Sequence, residues 1–249
     1  MRAILLLLAG LLLIGPTANA QPAARGLSAE EILRRADAVR FPQEGFEVMV
    51  RIDSIESGRP AEGRTLKVLS KGNENTIVMT LEPASERGQM MLMKERDLWM
   101  FLPRVSQPVR LSLAQRLTGQ VANGDIARAN FTGDYIPSLA GTQRIGNVDL
   151  YVLDLTAVDR KVAYQRVRYW VQQNDFRPYN AEFYSVSGRL LKTCRYADYR
   201  LLGGKLRPAR LVMTDALAKG TESTLHYSEL KLRDLPDRIF TKEYLRRLD

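Results

Sequence analysis

The sequence has one histidine and one cysteine, and this scarcity excludes several kinds of site. A serine–histidine–aspartate unit needs a histidine as its base. His226 stands in an alternating segment between Leu225 and Tyr227, which predicts a strand residue facing solvent rather than a base. One histidine and one cysteine are too few for a zinc site. Cys194 has no second cysteine to pair with and is predicted to be a small buried side chain. No metal or cofactor is expected.

Long apolar runs are missing beyond the first twenty residues. Within those twenty, Arg2, the apolar residues 3–14, and the small residues Ala18 and Ala20 have the pattern of a cleavable signal peptide. The alternative is a membrane anchor, but residues 3–14 are shorter than the roughly 20 apolar residues that span a bilayer. No cysteine follows the run that could carry a lipid. Cleavage after Ala20 is therefore expected, leaving residues 21–249 free in the periplasm.

The net charge is +9 at pH 7, and the basic residues are interleaved with acidic ones rather than clustered. A basic protein can bind nucleic acid, but the export signal and the dispersed charge argue against that partner. Attraction to anionic lipid headgroups or to an acidic partner fits better.

Paired carboxylates are the other catalytic device to consider, because glycoside hydrolases use two of them. Asp125 and Asp134 are the best candidates among the 28 acidic residues. Asp125 follows Asn123-Gly124, where a turn or helix-cap role is the stronger interpretation. No glycine-rich phosphate loop is present in the sequence. The chain is therefore not expected to be an enzyme, with an exported hydrolase as the alternative.

The first element after the leader is predicted to be a helix. Ser28 lies three residues before Glu31, the spacing of a capping box, and Leu27 and Ile32 are spaced as a hydrophobic staple. Apolar residues then recur at helical period up to Val39. Phe41-Pro42 is predicted to end the helix.

From Gly45 the apolar residues recur every second position, which predicts strands. Turn residues separate these segments every ten residues or so, a pattern typical of an antiparallel sheet. The predicted strands are 46–53, 66–69, 77–81, 90–93, 98–102, 150–155, 166–171, 180–185, 190–196, 207–214 and 223–232.

Residues 109–133 interrupt this meander. They contain a short helical pattern at Leu111, Leu113 and Leu117, and long irregular connections are where function concentrates. A capped helix is predicted over residues 242–248. Because so long a sheet must curl or close, we expect a mainly β (α+β) fold in one domain, residues 21–249. Its curled antiparallel sheet forms a half-barrel wrapped over the N-terminal helix and this mid-chain helical excursion.

The hairpin at residues 90–102 is apolar on both faces, unlike a sheet with one face in water. It is either a central hairpin covered on both sides or the lining of a cavity for an apolar ligand. Methionines are unbranched and polarizable, and they suit a lining that adapts to variable guests. The residues predicted to line an apolar cavity are Met79, Met91, Met93, Trp99, Phe101, Leu111 and Ile126.

Several ordered segments resemble one protein family. They are the run from Asp97-Leu98-Trp99 to Pro103, then Val109-Arg110-Leu111-Ser112, Gly124-Asp125-Ile126, Gly133-Asp134-Tyr135, and the ending from Leu235-Pro236 to Lys242. Together they are similar to the outer-membrane lipoprotein-sorting proteins of the LolA-like superfamily, in its broader branch rather than the dedicated carrier. The resemblance covers essentially the whole of residues 21–249 and implies a LolA/LolB-like curled sheet that encloses an apolar cavity. The best-known members move the acyl chains of lipoproteins from the inner to the outer membrane.

Two functions follow as hypotheses. The first is a monomeric periplasmic carrier that binds lipoprotein acyl chains or another lipid, taken from an inner-membrane exporter and passed to an outer-membrane acceptor. The second is a periplasmic adaptor of an inner-membrane lipid exporter that carries no cargo of its own.

Overall fold

The computed structural model describes residues 26–56, 58 and 60–247. The predicted signal peptide lies outside these residues. Within them the helices are α1 (Ala29–Arg40), α2 (Asn123–Ala127) and α3 (Lys242–Leu245), with short 3-10 turns at Ala84–Glu86 and Asp237–Ile239. The strands are β1 (Phe46–Ile55), β2 (Glu62–Lys71), β3 (Asn75–Glu82), β4 (Met90–Lys94), β5 (Asp97–Phe101), β6 (Val109–Leu111), β7 (Arg116–Thr118), β8 (Val121–Ala122), β9 (Tyr135–Ile145), β10 (Val148–Ala157), β11 (Arg166–Gln172), β12 (Pro178–Tyr184), β13 (Leu190–Leu202), β14 (Lys205–Asp215) and β15 (Glu222–Leu232).

Helix α1 forms as its sequence predicts. The Ser28 hydroxyl accepts a hydrogen bond from the Glu31 backbone N–H at 3.2 Å, which satisfies one of the free donors of the first turn. The helix ends where Phe41 turns to an extended conformation before Pro42. Its apolar stripe is fully buried against the sheet, at Ile32, Leu33 and Ala36. The predicted helix start and end are confirmed.

Thirteen strands form one antiparallel sheet in the order β6-β5-β4-β3-β2-β1-β15-β14-β13-β12-β11-β10-β9. The order shows two meanders, β1–β6 and β9–β15, joined where the first strand pairs with the last. In that pairing Val50 lies opposite Tyr227 on one side and opposite Leu66 on the other. The open, curled sheet confirms the predicted fold class, and it leaves β6 and β9 as its two edges.

Residues 112–134, called here the crossing segment, connect one edge of the sheet to the other. The segment leaves edge strand β6, forms the β7–β8 hairpin and α2, and enters the opposite edge strand β9. Its apolar side chains join the core of the inner face together with α1; they are Leu113, Val121, Ala122, Ile126, Ala127 and Phe131. The inner face of the curled sheet is therefore covered by α1 and the crossing segment.

A second apolar cluster lies on the outer face of β3–β5. There the C-terminal residues Leu235, Ile239, Phe240 and Leu245 pack on the side chains of the sheet that point outward. The predicted start of the terminal helix is confirmed, but α3 is shorter than predicted and ends at Leu245. Its cap is Thr241, whose hydroxyl accepts a hydrogen bond from the Tyr244 N–H at 3.2 Å. The β4–β5 hairpin is thus covered on both sides, which accounts for its two apolar faces.

One local prediction was wrong, and one long strand was missed. The helical pattern at Leu111, Leu113 and Leu117 is not a helix: Leu111 ends edge strand β6 and Leu117 lies in β7. The leucines share one core because turns bring them together, and the helix of this region forms later, as α2. Strand β9 was not predicted at all. Apart from the buried Tyr135, its residues are exposed or half-buried on both faces, and they include Pro137, which an edge strand tolerates. No alternation of apolar and polar residues therefore reveals it.

None of the helices within the described part of the chain is both long enough and apolar enough to span a bilayer.

Candidate functional site

A narrow apolar cleft lies between the inner face of the sheet and the crossing segment. One wall consists of the inward side chains of β1 and β2, and the other consists of Ile126, Ala127 and the residues that follow α2. The cleft holds about 20 Å³ of space open to a water-sized sphere, which is room for roughly one water molecule. The apolar residues of the sheet wall and of the end of the cleft are Phe41, Pro42, Phe46, Val48, Val50, Val68 and Tyr227, and polar groups of Ser70, Asn73 and Asn130 complete the lining.

The period of β1 builds this wall. Phe46, Val48 and Val50 alternate with polar or half-buried residues, so all three point to the inner face. Val68 of β2 lies opposite Val48 in the ladder and extends the surface sideways. The result is a continuous apolar floor beneath α2.

A buried ion pair holds the first half of the crossing segment. The Lys192 ammonium lies 2.6 Å from a carboxylate oxygen of Asp125 and 2.6 Å from the carbonyl of Gln120. The same carboxylate accepts the Tyr164 hydroxyl and, at 2.8 Å, the Ala122 N–H that begins α2. Burial raises the pKa of Tyr164 well above its ordinary value, and the nearby Asp125 charge adds to the shift. Asp125 therefore has the cap role that its position predicts.

Close backbone contact fixes the turn before α2. The Gln120 N–H donates to the Ser223 hydroxyl at 2.9 Å, and the Ser54 and Ser223 hydroxyls lie 2.8 Å apart. A Cβ atom at Gly119 would lie 2.2 Å from the Ser54 oxygen and 2.3 Å from that of Ser223. With φ at +49°, only glycine fits here without displacing the segment.

A second buried ion pair holds the other half. The Arg128 guanidinium pairs with Asp134 and also donates to the carbonyls of Asn73 at 2.5 Å and Glu95 at 2.7 Å. Arg96 adds a 3.0 Å bond to the second oxygen of Asp134. These bonds tie the end of the crossing segment to the β2–β3 and β4–β5 turns.

Helix α1 contributes a third tie through Asp37. Its carboxylate accepts the backbone N–H groups of Phe131 and Thr132, at 3.0 and 2.7 Å, and the Thr132 hydroxyl at 2.6 Å. Burial raises the pKa of Asp37, against the opposing effect of Arg40, whose Nη1 lies 3.9 Å away. The Arg40 guanidinium lies over the rings of Phe131 and Tyr196, at 4.7 and 5.4 Å from their centroids.

Each of the two candidate catalytic carboxylates therefore forms an ion pair with a buried cation. Asp125 forms an ion pair with Lys192, and Asp134 forms ion pairs with Arg128 and Arg96. His226 is exposed on β15, 3.7 Å from Asp53, as its sequence position predicts. Cys194 is buried, and burial raises its thiol pKa to about 12.

The structure divides the seven predicted lining residues between the two faces. Ile126 lines the cleft, and Met91 and Met93 lie in the same inner core, with half-buried Leu111 packed at its edge. Met79, Trp99 and Phe101 lie on the outer face, where the Lys242 ammonium sits 4.0 Å above the Trp99 ring. As ligand-binding residues all seven remain a prediction.

The valines of β1 and β2 were missed as cleft residues, although the alternation that placed them on a strand face could have suggested them. The sequence shows no pattern that predicts the hydrogen bonds and ion pairs holding the crossing segment. Lys192 and Asp125 are 67 residues apart, and Asp37 and Thr132 are 95 apart. Only the folded sheet brings these partners together.

This chain is similar in sequence and structure to several known proteins. A family model described as "Uncharacterized protein" matches residues 72–247, more than half of the chain. The crystal structure of a LolA superfamily protein from Nitrosomonas europaea is 60% identical, covers 88% of this chain and 100% of that one, and superposes with a TM-score of 0.85. No curated protein matches the chain.

Two more distant structures share the fold. A DUF1329 family protein from Desulfovibrio piger is 22% identical, with 87% of this chain and 97% of that one covered and a TM-score of 0.74. A domain from Vibrio parahaemolyticus, named for outer membrane lipoprotein sorting, is 20% identical, with 88% and 98% covered and a TM-score of 0.73. From the first relative's identity and coverage together with this fold, the chain belongs to the LolA superfamily.

Proposed function

We propose that this protein is a periplasmic carrier that binds a lipoprotein acyl chain or another lipid beneath the crossing segment and moves it between the inner and outer membranes. The observation that carries the proposal is the apolar cleft between the floor of β1–β2 and α2. Membership of the LolA superfamily supports it, as does the sequence pattern of a cleavable leader before a single domain at residues 21–249.

The proposal requires the crossing segment to move. Small-molecule pockets commonly enclose roughly 300–1,000 Å³, and the cleft holds room for one water. A guest must therefore take the place of Ile126 and Ala127 on the floor of the sheet. Met91 and Met93, on the inner face of β4 two strands from β2, would extend that floor. Because each buried methylene contributes about 0.8 kcal/mol, a sixteen-carbon chain brings on the order of 12 kcal/mol to offset the contacts that are lost.

Displacement of a fluorescent fatty acid tests the carrier. We expect the delipidated protein to bind the probe, and Val50→Asp, which places a charge on the cleft floor, to abolish binding. Val186→Asp is the matched control, because Val186 is 85% exposed in a turn outside the cleft. Native mass spectrometry of protein purified from a periplasm should show a bound lipid. Failure of both measurements, with folding verified by circular dichroism, would refute the proposal.

The second candidate is an adaptor of an inner-membrane exporter without cargo of its own. The closely packed interior and the net charge of +9 are the observations that favour it. Recovery of a membrane transporter by crosslinking, from protein that binds no fatty acid, would establish this function in place of the carrier.

A further inference from the structure

The hairpin of β13 and β14 continues past its ladder pairing with the strands on either side. The last pair between β12 and β13 joins Asn180 to Arg195, and the pairing of β14 with β15 begins at Arg210 opposite His226. Past these points residues 198–209, called here the ribbon, form ladder pairs only with each other among the described strands. The ribbon closes at Gly203-Gly204, both with positive φ, as a tight two-residue hairpin turn requires.

The tip of the ribbon presents two leucines to solvent. Leu201 is 76% exposed and Leu206 is 44% exposed, and the two are direct partners across the hairpin. They therefore lie side by side on one face. Single exposed apolar side chains are ordinary on protein surfaces, but here two of them lie side by side at the end of a hairpin.

The ribbon is rigidly mounted. The buried Arg207 guanidinium donates to the carbonyls of Ala38 and Val39, both at 3.0 Å, at the C-terminal end of α1. Gly203 lies against Leu230 so closely that a Cβ atom would come within 2.3 Å of its side chain. The leucine pair is thus held at a fixed position relative to the core.

Two exposed cations lie next to the leucines in sequence. Arg200 and Lys205 point to the opposite face of the ribbon from Leu201 and Leu206, because neighbouring residues of a strand alternate faces. Neither cation forms an ion pair or a side-chain hydrogen bond within the described chain, and Asp198, the nearest acid in the ribbon, is already paired with Arg210 at 2.9 Å. The tip therefore carries two exposed leucines on one face and two unpaired cations on the other.

The part of the ribbon next to its tip lies beside one end of the cleft. Arg207 binds the last turn of α1, and Phe41 and Pro42, which line the cleft, follow that turn directly. A surface that contacts the ribbon tip is therefore close to the point where a guest would enter.

We infer that the ribbon tip docks on anionic lipid bilayers, with Leu201 and Leu206 inserted among the headgroups and Arg200 and Lys205 on lipid phosphates. Shallow apolar insertion combined with basic residues is what holds peripheral proteins at anionic membranes. Two leucines are far too small an area for a stable protein interface, which buries roughly 1,200 Å² or more. The inference goes beyond the proposed carrier function, since docking requires no cargo.

Flotation with phosphatidylglycerol–phosphatidylcholine vesicles tests the docking. We expect the protein to float with these vesicles and not with pure phosphatidylcholine. The double variant Leu201→Ser with Leu206→Ser should lower binding at least about ten-fold. The double variant Arg200→Gln with Lys205→Gln should lower it about five-fold for each cation removed, with the loss disappearing at high salt.

Leu217→Ser is the matched control. Leu217 is 62% exposed and follows the opposite end of β14, about 30 Å from the tip at 3.3 Å per residue. Wild-type binding in this variant, and lost binding in the tip variants, supports the inference. A dye on Leu201→Cys should also shift to the blue on vesicles, while the buried Cys194 stays unlabelled.

Absence of vesicle binding, or an equal loss in Leu217→Ser, would overturn the inference. The inference would also be overturned if light scattering showed a dimer that the tip variants convert to monomer. In that case the leucines would contact a second copy of the chain. Fatty-acid displacement in vesicle-free solution, measured on the same variants, separates this outcome from a failure of the carrier function. The tip variants should bind the probe as the wild type does.

Discussion

Lys192 is the cation that balances Asp125 in the interior. Its side chain is 5% exposed and that of Asp125 is 6% exposed, so neither can turn to water when its partner is removed. We predict that Lys192→Met lowers the free energy of unfolding by about 3–5 kcal/mol, because it leaves a buried carboxylate without a cation. Urea denaturation measures the change.

The double variant Lys192→Met with Asp125→Asn is the control for that prediction. It removes both charges, and we expect it to cost clearly less than the sum of the two single changes, which is the mark of a direct pair. Strict additivity would show that Lys192 and Asp125 do not interact in solution.

A substitution at Gly119 tests whether the crossing segment packs closely against β1 and β15. We predict that Gly119→Ala destabilises the protein by about 1–3 kcal/mol more than Gly133→Ala does. Both positions have positive φ, but a Cβ atom at Gly133 meets nothing within 4 Å, whereas one at Gly119 strikes Ser54 and Ser223. Alanine is placed at a positive φ in both variants, so the difference between their free energies of unfolding reports the clash at Gly119.

Hydrogen exchange locates the effect of Gly119→Ala. The Gln120 amide, which donates to Ser223, should lose protection together with α2, while amides of the central β1–β15 pairing keep theirs. Uniform loss of protection across the sheet would contradict a local displacement of the segment.

At the scale of single elements, the sequence predicted those with a clear period and a clear end. Helix α1 has a cap, a stripe and a terminating proline, and β1 alternates without a break. Strand β9 has no such pattern because an exposed edge strand buries little on either face. The leucines of residues 111–117 imitate a helix because short strands and turns carry them to one core.

The β4–β5 hairpin shows what a sequence leaves undecided. Its two apolar faces were consistent either with a cavity lining or with a hairpin that is packed against other residues on both faces. The residues that pack on its outer face lie about 140 residues further along the chain, at Phe240. No local pattern reveals so distant a partner. The same holds for the ties between Lys192 and Asp125, so the valines of the cleft could be anticipated but not the contacts that close it.

The C-terminal segment is the element that covers this hairpin. Phe240 is 1% exposed in the outer cluster, whereas Tyr244, four residues later, is 37% exposed. We predict that Phe240→Ala lowers the free energy of unfolding by about 3–5 kcal/mol through the cavity it leaves, and that Tyr244→Ala changes it little. Thermal denaturation of the two variants makes the comparison, and equal effects would mean that the segment does not pack on the sheet in solution.

At the scale of the whole molecule, the crossing segment is attached to both edges of one open sheet. It leaves at β6 and returns at β9, so it cannot swing away on a single hinge. Opening must lift its middle, at α2, while both ends stay joined to strands. In the proposed carrier, the buried contacts of Asp125, Asp37 and Arg128 would therefore set the fraction of molecules with an open cleft.

This topology gives the carrier proposal a test of its own. A guest that binds only the open form has an apparent dissociation constant equal to the intrinsic one divided by the open fraction. Arg128→Gln removes the charge pair with Asp134 and weakens two bonds to the turns at Asn73 and Glu95. We therefore predict that it lowers the free energy of unfolding and, at the same time, tightens the binding of a fluorescent fatty acid by several-fold.

Arg104→Gln is the control for Arg128→Gln, because Arg104 is exposed and forms no ion pair or side-chain hydrogen bond among the described residues. Urea denaturation and fatty-acid titration should both match the wild type. The opposed changes expected of Arg128→Gln, less stable yet tighter binding, separate opening of the segment from general damage, which weakens both. Loss of stability with unchanged affinity would mean that the fatty acid binds elsewhere, since a site beneath the crossing segment must respond to the contacts that hold the segment down.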